Sequence, residues 1–563
     1  MSCNPAIGGL AKGQVVREID ALGGLMARAA DASGIMFKVL NQSKGPAVQG
    51  PRAQCDKDAY AAFVQREIAA CANITVLTDT IADIVLEAGV CVGVKRSDGS
   101  EYRAAAVVLT TGTFMRALMH TGPRKTPGGR VGEGTADGIS GCLQRVGLEL
   151  GRLKTGTPPR LRRATIDWDA LPAQHGDDPP IAFSDLASPD FPPLEQITCR
   201  ITHTSSESHD MIRANLHLAP MFSGQIDADA GPRYCPSIED KVVRFADRDS
   251  HHVFLEPETL GGASIYCNGI STSLPPDVQD GIVRGMPGCE RAEILQYGYA
   301  VEYDMVRPHQ IDATCMVKSI HGFFLAGQIN GTSGYEEAAG QGLIAGVNAA
   351  RRSRGDDPVR LARDEAYIGV MLDDLVTRTP REPYRLFTSR AEHRMLLRAD
   401  NADARLTPIG RQWGTVCEQR WATWQAKRVR LADLAARLRS TPGEHGRDLA
   451  AISRRPESTV DDIAKRLGGG DARGDVERVM TDTRYEGYIK RQQAEIRRQR
   501  DADKITIPLN LDLAAITGLR SEAAEALGHF RPTTLGQAAR LAGVTPADAT
   551  VLAVAIRKQH ATP

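Results

Sequence analysis

Apolar and polar positions change their period several times along the chain. Residues 104–113 carry an unbroken apolar run, Ala-Ala-Ala-Val-Val-Leu, that ends in Thr-Thr-Gly112-Thr. Residues 321–350 contain Gly322-Phe-Phe-Leu-Ala, pass through Gly327 and Gly331, and continue as a run of small residues. Short apolar runs bounded by glycine predict buried strands, and the small-residue run predicts a helix over about 334–350. The second stretch is therefore strand, glycine turn and helix start. Glycines there admit a ligand close to the backbone, and the free N–H groups of the first helical turn point at whatever occupies the crevice.

At the N-terminus, Asn4 as N-cap and Pro5 as first helical residue predict a helix running to about Leu22. Cys3 then lies just outside a helix start, where the dipole favours a thiolate. Gly8 and Gly9 inside such a helix cost about 1 kcal/mol each and leave a bare face for a flat ring. Residues 43–58 read as an ordered polar loop, followed by a helix to about residue 72. The runs at Ile74, Ile84 and Cys91 predict an antiparallel ribbon reaching Tyr102. In Gly231-Pro-Arg-Tyr-Cys235-Pro-Ser, Pro236 forces Cys235 to be extended and opens a helix, so a second cysteine has the same setting. Residues 297–304 form a tyrosine-lined strand. After about residue 351 helices dominate. Ser389 and Glu392 fit a capping box, which puts Arg390, Arg394 and Arg398 on one helical face. Lys490, Arg491, Arg497, Arg498 and Arg500 make a second basic stretch beside Tyr485 and Tyr488. Residues 505–563 read as a small helical module, either a cap on the core or a docking surface.

A chain of 563 residues exceeds what one core organises, so three or more domains are expected. Hydrophobic content of 42% and charged content of 25% are those of a soluble globular protein. With no apolar run of about 18 residues and no signal peptide, a cytoplasmic location without membrane contact is expected. The 69 basic and 69 acidic residues cancel, so nucleic-acid contact must come from local patches. One candidate is the proline-stiffened turn carrying Arg152, Lys154 and Arg160, which is either a phosphate contact or a solvated face. Glycine-rich residues 122–140 are either a surface loop or a wall of a cofactor site. Eleven cysteines show no Cys-x-x-Cys pair, and His203, His209 and His217 lack partners at ligand spacing. Reduced thiols and no metal site follow.

Two strand ends of the Thr-Gly and glycine-turn kind predict an α/β flavoprotein of the glutathione-reductase type. SCNPAIGG, KGPAV, LKTGTPPR, GPRYCPSIEDK, NGISTSLP, AGQINGTSGYEEAA, FTSRAEHR, YEGYI and GVTPA stand in this order. Together, over nearly the whole chain, they resemble the MnmG (GidA) family, the flavoprotein subunit that modifies the wobble uridine of tRNA. The resemblance implies an FAD-binding domain in two parts (1–156, with a ribbon at about 73–103, and 253–352) and an inserted α+β NAD-binding domain (157–252). An all-α region follows, with a tRNA-binding domain (353–503) and a docking module (504–563). It implies Cys3 and Cys235 as essential thiols, and FAD contacts at Ile81, Ala136, Gly327, Gln328, Asn330 and Gly331. NAD would bind along Gly231, Pro232, Arg233, Tyr234, Cys235, Pro236, Ser237, Ile238, Glu239, Asp240, Lys241, Val242, Val243, Arg244 and Phe245. Arg152, Lys154, Arg160, Arg390, Arg394, Lys490 and Arg491 are the tRNA-binding candidates. Implied cofactors are FAD and NADH, with methylenetetrahydrofolate supplied through the partner. Implied partners are tRNA, a second copy of the chain and an MnmE-type folate-binding GTPase at the C-terminal module, in a heterotetramer with two GTPase subunits.

Carbon 5 of uracil is a poor nucleophile until something adds at carbon 6, an addition suited to a thiolate. Cys235 is read as the attacking thiolate and Cys3 as its acid/base or flavin-side partner, with the reverse assignment open. The family's opening strand and GxGxxG turn, a unit of roughly 30 residues, find no match here, so the Rossmann FAD domain is expected to be incomplete, with an open sheet edge and weakened FAD binding. Ala136 stands where the family commonly has serine, and residues 442–473 look shorter than in many relatives. Two other functions stay open: a folate-dependent tRNA uracil-5-methyltransferase flavoprotein, which lacks the long helical region, and a non-catalytic tRNA-binding remnant without FAD.

Overall fold

The computed structural model describes residues 3–226, 237–378, 382–508 and 511–561. At its centre the wholly buried strand Phe323–Leu325 pairs in parallel with Val107–Leu109. A tight turn over Gly327–Asn330 follows, closed by Gly331 in the left-handed region at φ 79°, and the helix Tyr335–Arg354 starts after Gly334. Strand, glycine turn and helix are all where the apolar pattern puts them. Helices Lys12–Ala21, Tyr367–Thr377 and Ala402–Trp413 pack on the same side through Val15, Ile19, Ile344, Ile368, Leu372 and Leu406. Val107–Leu109 is half-buried and has one strand neighbour among the described residues.

The N-terminus corrects the expectation of a helix from Pro5. Ala6–Gly8 is a strand, paired with Gly50–Cys55, and the helix begins only at Lys12. The backbone forces this: Gly8 and Gly9 have φ of 87° and 110°, and a Cβ on Gly8 would lie 2.2 Å from the Pro51 carbonyl oxygen. Residues read as a polar loop thus contain a central strand, which Gly34–Leu40 flanks on its other side. Its polar residues hid it: Arg52 and Gln54 spend their side chains on Glu256, Asn4 and the Pro257 carbonyl, not on solvent. The helix after it, Lys57–Ala69, is capped by Asp56, whose carboxylate accepts from the N–H groups of Asp58 and Ala59. The ribbon is Ile81–Glu87, Val90–Arg96 and Glu101–Arg103. Ile74, Val76 and Leu77 lie outside it and are exposed at 49, 75 and 59%.

Two antiparallel sheets carry the insert. One orders Leu150–Thr157, Tyr299–Val306, Leu118–Thr121 and Arg124–Pro127, and every residue of the tyrosine-lined strand is buried. The other orders Ala173–Gln174, Cys199–His203, His252–Pro257, Ser264–Asn268, Arg160–Arg162 and Ile294–Gln296 around Leu161, Leu255, Ile265 and Ile282. A domain boundary at residue 252 would cut this sheet, because Cys199–His203 pairs directly with His252–Pro257. The inserted unit therefore runs on to about the start of the Tyr299–Val306 strand.

The C-terminal region is helical, led by Glu418–Ser440 and Arg473–Lys504. No capping box forms at Ser389. Thr388–Arg390 is a single tight turn, and Glu392 bonds Arg363 instead. Arg398 is fully buried, with its guanidinium on Asp400 and Asp482, so the expected arginine stripe does not exist. Among the described residues no helix is long and apolar enough to cross a membrane.

Candidate functional site

Ligands of open parallel sheets sit in a crevice beyond the carboxyl ends of the strands, and here those ends are Leu109 and Leu325. On one side Asn330 donates from Nδ2 to the Leu325 carbonyl (2.7 Å) and to Gln341 Oε1 (2.9 Å), and the Gly327 N–H donates to the same oxygen (3.1 Å). These bonds fix the turn. On the other side the chain leaves Val107–Leu109 through Thr111 and Gly112, and a Cβ on Gly112 would sit 3.8 Å from Gln328 Oε1. Phe114 continues the rim, its carbonyl accepting the Ala136 N–H at 2.8 Å. Ala136 precedes the helix Asp137–Arg145, whose Gly138 faces Ala82, next to Ile81. Contacts thus run from Gln328 through Gly112 and Phe114 to Ala136, and from the helix after Ala136 to Ala82 beside Ile81, while Gly327, Asn330 and Gly331 are buried behind them. Two polar atoms near these strand ends, Thr111 Oγ1 and Asn330 Oδ1, are buried and have no protein partner. Buried polar atoms of this kind are costly unless a ligand or water completes them.

Cys3 is exposed and lies against this crevice's helix. Its N–H donates to the hydroxyl of Tyr335, the first residue of the helix, at 2.9 Å, and its sulfur is 2.9 Å from the Tyr266 hydroxyl. The segment behind it is pinned on both sides. Asn4 Nδ2 donates to Glu256 (2.5 Å), which also takes Arg52 (2.6 Å). The Gly8 N–H and Lys12 Nζ both donate to Glu336 (2.7 and 2.8 Å), and Glu337 stands 3.2 Å from Lys12. Burial works against the charge on Lys12, but Glu336 and Glu337 outweigh it and hold its pKa above the ordinary lysine value. Cys3 is therefore not at the start of its own helix, as its sequence setting suggests. It is sewn between the six-stranded sheet and the helix that borders the crevice.

Comparison with known proteins fits this geometry. Residues 1–357 match the family described as glucose inhibited division protein A. Residues 418–493 and 495–563 match the C-terminal helical domain and C-terminal helical bundle of the tRNA modifying enzyme MnmG/GidA. The chain belongs to the MnmG/GidA family. It is 49% identical to the tRNA uridine 5-carboxymethylaminomethyl modification enzyme MnmG of Syntrophotalea carbinolica, over 99% of this chain and 93% of that protein. It is 51% identical to the enzyme of the same name from Rhodopirellula baltica, over 97% of this chain and 86% of that one. Aquifex aeolicus GidA in its form II crystal superposes with a TM-score of 0.91 at 42% identity, covering 99% of this chain and 92% of that one.

For an MnmG/GidA chain, the remaining expected positions divide sharply. Cys235 and the NAD-segment residues Gly231, Pro232, Arg233, Tyr234 and Pro236 lie outside the described residues. Ser237 caps the short helix Ile238–Arg244 that follows. Glu239 Oε1 accepts from Thr272 Oγ1 and the Ser273 N–H while its Oε2 is buried without a protein partner, Lys241 donates to the Gly269 carbonyl, and Val243, Arg244 and Phe245 face outward. Arg152, Lys154 and Arg160 do not form an outward phosphate surface. Arg152 is paired with Asp304 (2.6 Å) and Glu302 (3.2 Å), and Lys154 and Arg160 are only 2 and 5% exposed. Arg390 stacks on Tyr384 with its guanidinium 4.5 Å from the ring centre. Arg394, Lys490 and Arg491 are exposed, the last lying 5.2 Å over Tyr488. Among the described residues no group of His, Cys, Asp and Glu could hold a metal ion. His209 instead meets Thr204 at 2.7 Å and stacks near His251, whose pKa burial pushes down to about 4. Sequence reasoning missed Tyr266, Tyr335 and Glu336. The last two stand in the AGQINGTSGYEEAA motif, whereas Tyr266 has no local signal beyond an alternating strand.

Proposed function

We propose that this chain adds a carboxymethylaminomethyl or aminomethyl group to carbon 5 of the wobble uridine of tRNA, the modification its curated relatives are named for. The observation that supports the proposal most is the bonding of Cys3 to Tyr335, the first residue of the helix that follows the Gly327–Asn330 turn, in a chain whose Thr111 Oγ1 and Asn330 Oδ1 are buried without a protein partner. Ile81, Ala136, Gly327, Gln328, Asn330 and Gly331 would hold FAD, and residues 231–245 NADH. FAD held there would supply hydride chemistry, with NADH as its reductant. The one-carbon unit comes from methylenetetrahydrofolate with an MnmE-type GTPase docked at the C-terminal module. The working unit is a homodimer joined by two GTPase subunits, in the cytoplasm.

The chain's own contribution is the thiol chemistry. A thiolate adding to carbon 6 of the uracil turns carbon 5 into an enolate carbon. After carbon 5 bonds to the one-carbon unit, which glycine or ammonium completes as the aminomethyl group, removal of the carbon 5 proton restores the double bond and expels the sulfur. Cys235 makes the addition and Cys3 accepts the proton. Arg394, Lys490 and Arg491, exposed on the helical region beside Tyr488, supply phosphate contacts for the tRNA. Separate C3S and C235S chains, incubated with tRNA and partner, test this. C235S is expected to lose the covalent tRNA adduct and C3S to retain it without releasing product. A purified chain that holds no flavin and is indifferent to both substitutions overturns the proposal.

A further inference from the structure

We propose that Tyr266 is the positioning residue for Cys3: its phenol holds the sulfur in place and donates its hydrogen when Cys3 ionises. The inference deepens the function proposed above, in which Cys3 must hold and release a proton. The 2.9 Å contact between Cys3 Sγ and the Tyr266 hydroxyl joins residues 263 positions apart. Nothing about it is adventitious. Tyr266 is 4% exposed and sits mid-strand in Ser264–Asn268, flanked on one side by Glu256 and on the other by Arg160.

Arg160 reaches across so that its guanidinium lies 4.9 Å from the centre of the tyrosine ring. That guanidinium is itself fixed, donating to the Pro158 carbonyl at 2.9 Å and to Thr157 Oγ1, with Glu258 at 3.6 Å. A phenol whose ring faces a cation is a better hydrogen donor, because charge drawn from the ring polarises the O–H bond. The ring is buried beneath that guanidinium, with its hydroxyl on the sulfur. Groups near the thiol among the described residues include Tyr335, which accepts the Cys3 N–H, and Tyr299, whose phenol burial pushes up and the Cys3 sulfur pushes further. Glu256, the nearest carboxylate on the neighbouring strand, is neutralised by Arg52 at 2.6 Å. The Tyr266 hydroxyl lies at hydrogen-bond distance from the sulfur. With the neutral thiol either atom can donate. Once the proton has left, only the phenol can, and a hydrogen bond to a charged acceptor is about twice as strong as to a neutral one. The proton passes from sulfur to solvent or substrate, and the phenol keeps its own.

The test uses the whole chain and reads Cys3 ionisation directly. Iodoacetamide alkylation of the Cys3 peptide is followed by mass spectrometry from about pH 6 to 10, bracketing the ordinary thiol value. Y266F keeps the ring under Arg160 and removes the donor. Its alkylation midpoint is expected to rise by about one unit, which slows alkylation near neutrality roughly tenfold while leaving the high-pH limiting rate unchanged. Tyr266→3-fluorotyrosine, isosteric and a stronger donor, is expected to move the midpoint down. A purely packing role changes the rate equally at every pH and shifts no midpoint. A Y266F midpoint equal to or below that of the parent, or a fluorotyrosine midpoint that does not fall, overturns the inference. Neither flavin, tRNA nor partner enters the assay, so a chain without tRNA-modifying activity can pass it and an active one can fail.

Discussion

Acidification is expected to loosen the C-terminal module, and His309 gives the size of the effect. This residue is 8% exposed, and its ring stacks on His529 of the module with centroids 4.2 Å apart. Lys318 ties the same joint, donating to the His309 carbonyl at 2.8 Å and to the Phe530 carbonyl at 2.6 Å. Burial, then the charges of His529, Lys318 and Arg307, push the His309 pKa down from 6.5 to about 4. Glu149, 3.6 Å from the ring and mostly exposed, offsets little of this. The sign follows: the folded joint holds neutral imidazole, so stability is full above the unfolded value and is lost as pH falls from about 6.5 toward 4. Between about pH 7.5 and 5, the linkage integral for those two values is about 2 kcal/mol, or roughly thirtyfold more opening. Hydrogen exchange of peptides from Ser521–Phe530, corrected for intrinsic rates, measures it. H309N, neutral throughout, is expected to remove most of the difference. Equal pH dependence in parent and variant would show that His309 does not govern the joint.

Three further outcomes are expected. R420M leaves the Asp20 carboxylate buried without the guanidinium that bonds both its oxygens at 2.6 and 2.7 Å, and is expected to cost about 3–5 kcal/mol in urea unfolding. A loss under about 1 kcal/mol contradicts this, and the double variant D20N/R420M should recover part of the loss. G8A forces a side chain into a backbone at φ 87° with a Cβ 2.2 Å from the Pro51 oxygen, so it is expected to lower the unfolding free energy by at least about 2 kcal/mol. An unchanged urea midpoint refutes the steric reading. Burial lifts the Asp31 carboxyl to about 7 despite its bonds from the Phe183 and Ser184 N–H groups. The folded chain therefore holds the proton that the unfolded chain gives up, and stability falls by about 2–3 kcal/mol from about pH 5 to 8, a fall that D31N should lack when melts are compared across that range.

The sequence alone determined the elements whose causes are local. A short apolar run, glycines that tolerate a left-handed turn and a small-residue helix fix Phe323–Leu325 through Tyr335–Arg354, and a tyrosine-lined stretch fixes Tyr299–Val306. The ordered motifs carried the family. Tertiary structure decided everything that depends on a distant partner. The pattern Asn-Pro at the N-terminus reads as a helix start, yet two glycines with positive φ and the contact with Pro51 make it a strand. Polar residues such as Arg52, Lys154, Arg160 and Arg398 look solvent-facing because periodicity cannot see the carboxylates, rings and carbonyls of other elements that enclose them. For the same reason Tyr266, a residue with no motif of its own, meets the Cys3 thiol: a hydrogen bond a few ångströms long carries no trace in a sequence that separates its ends by 263 residues.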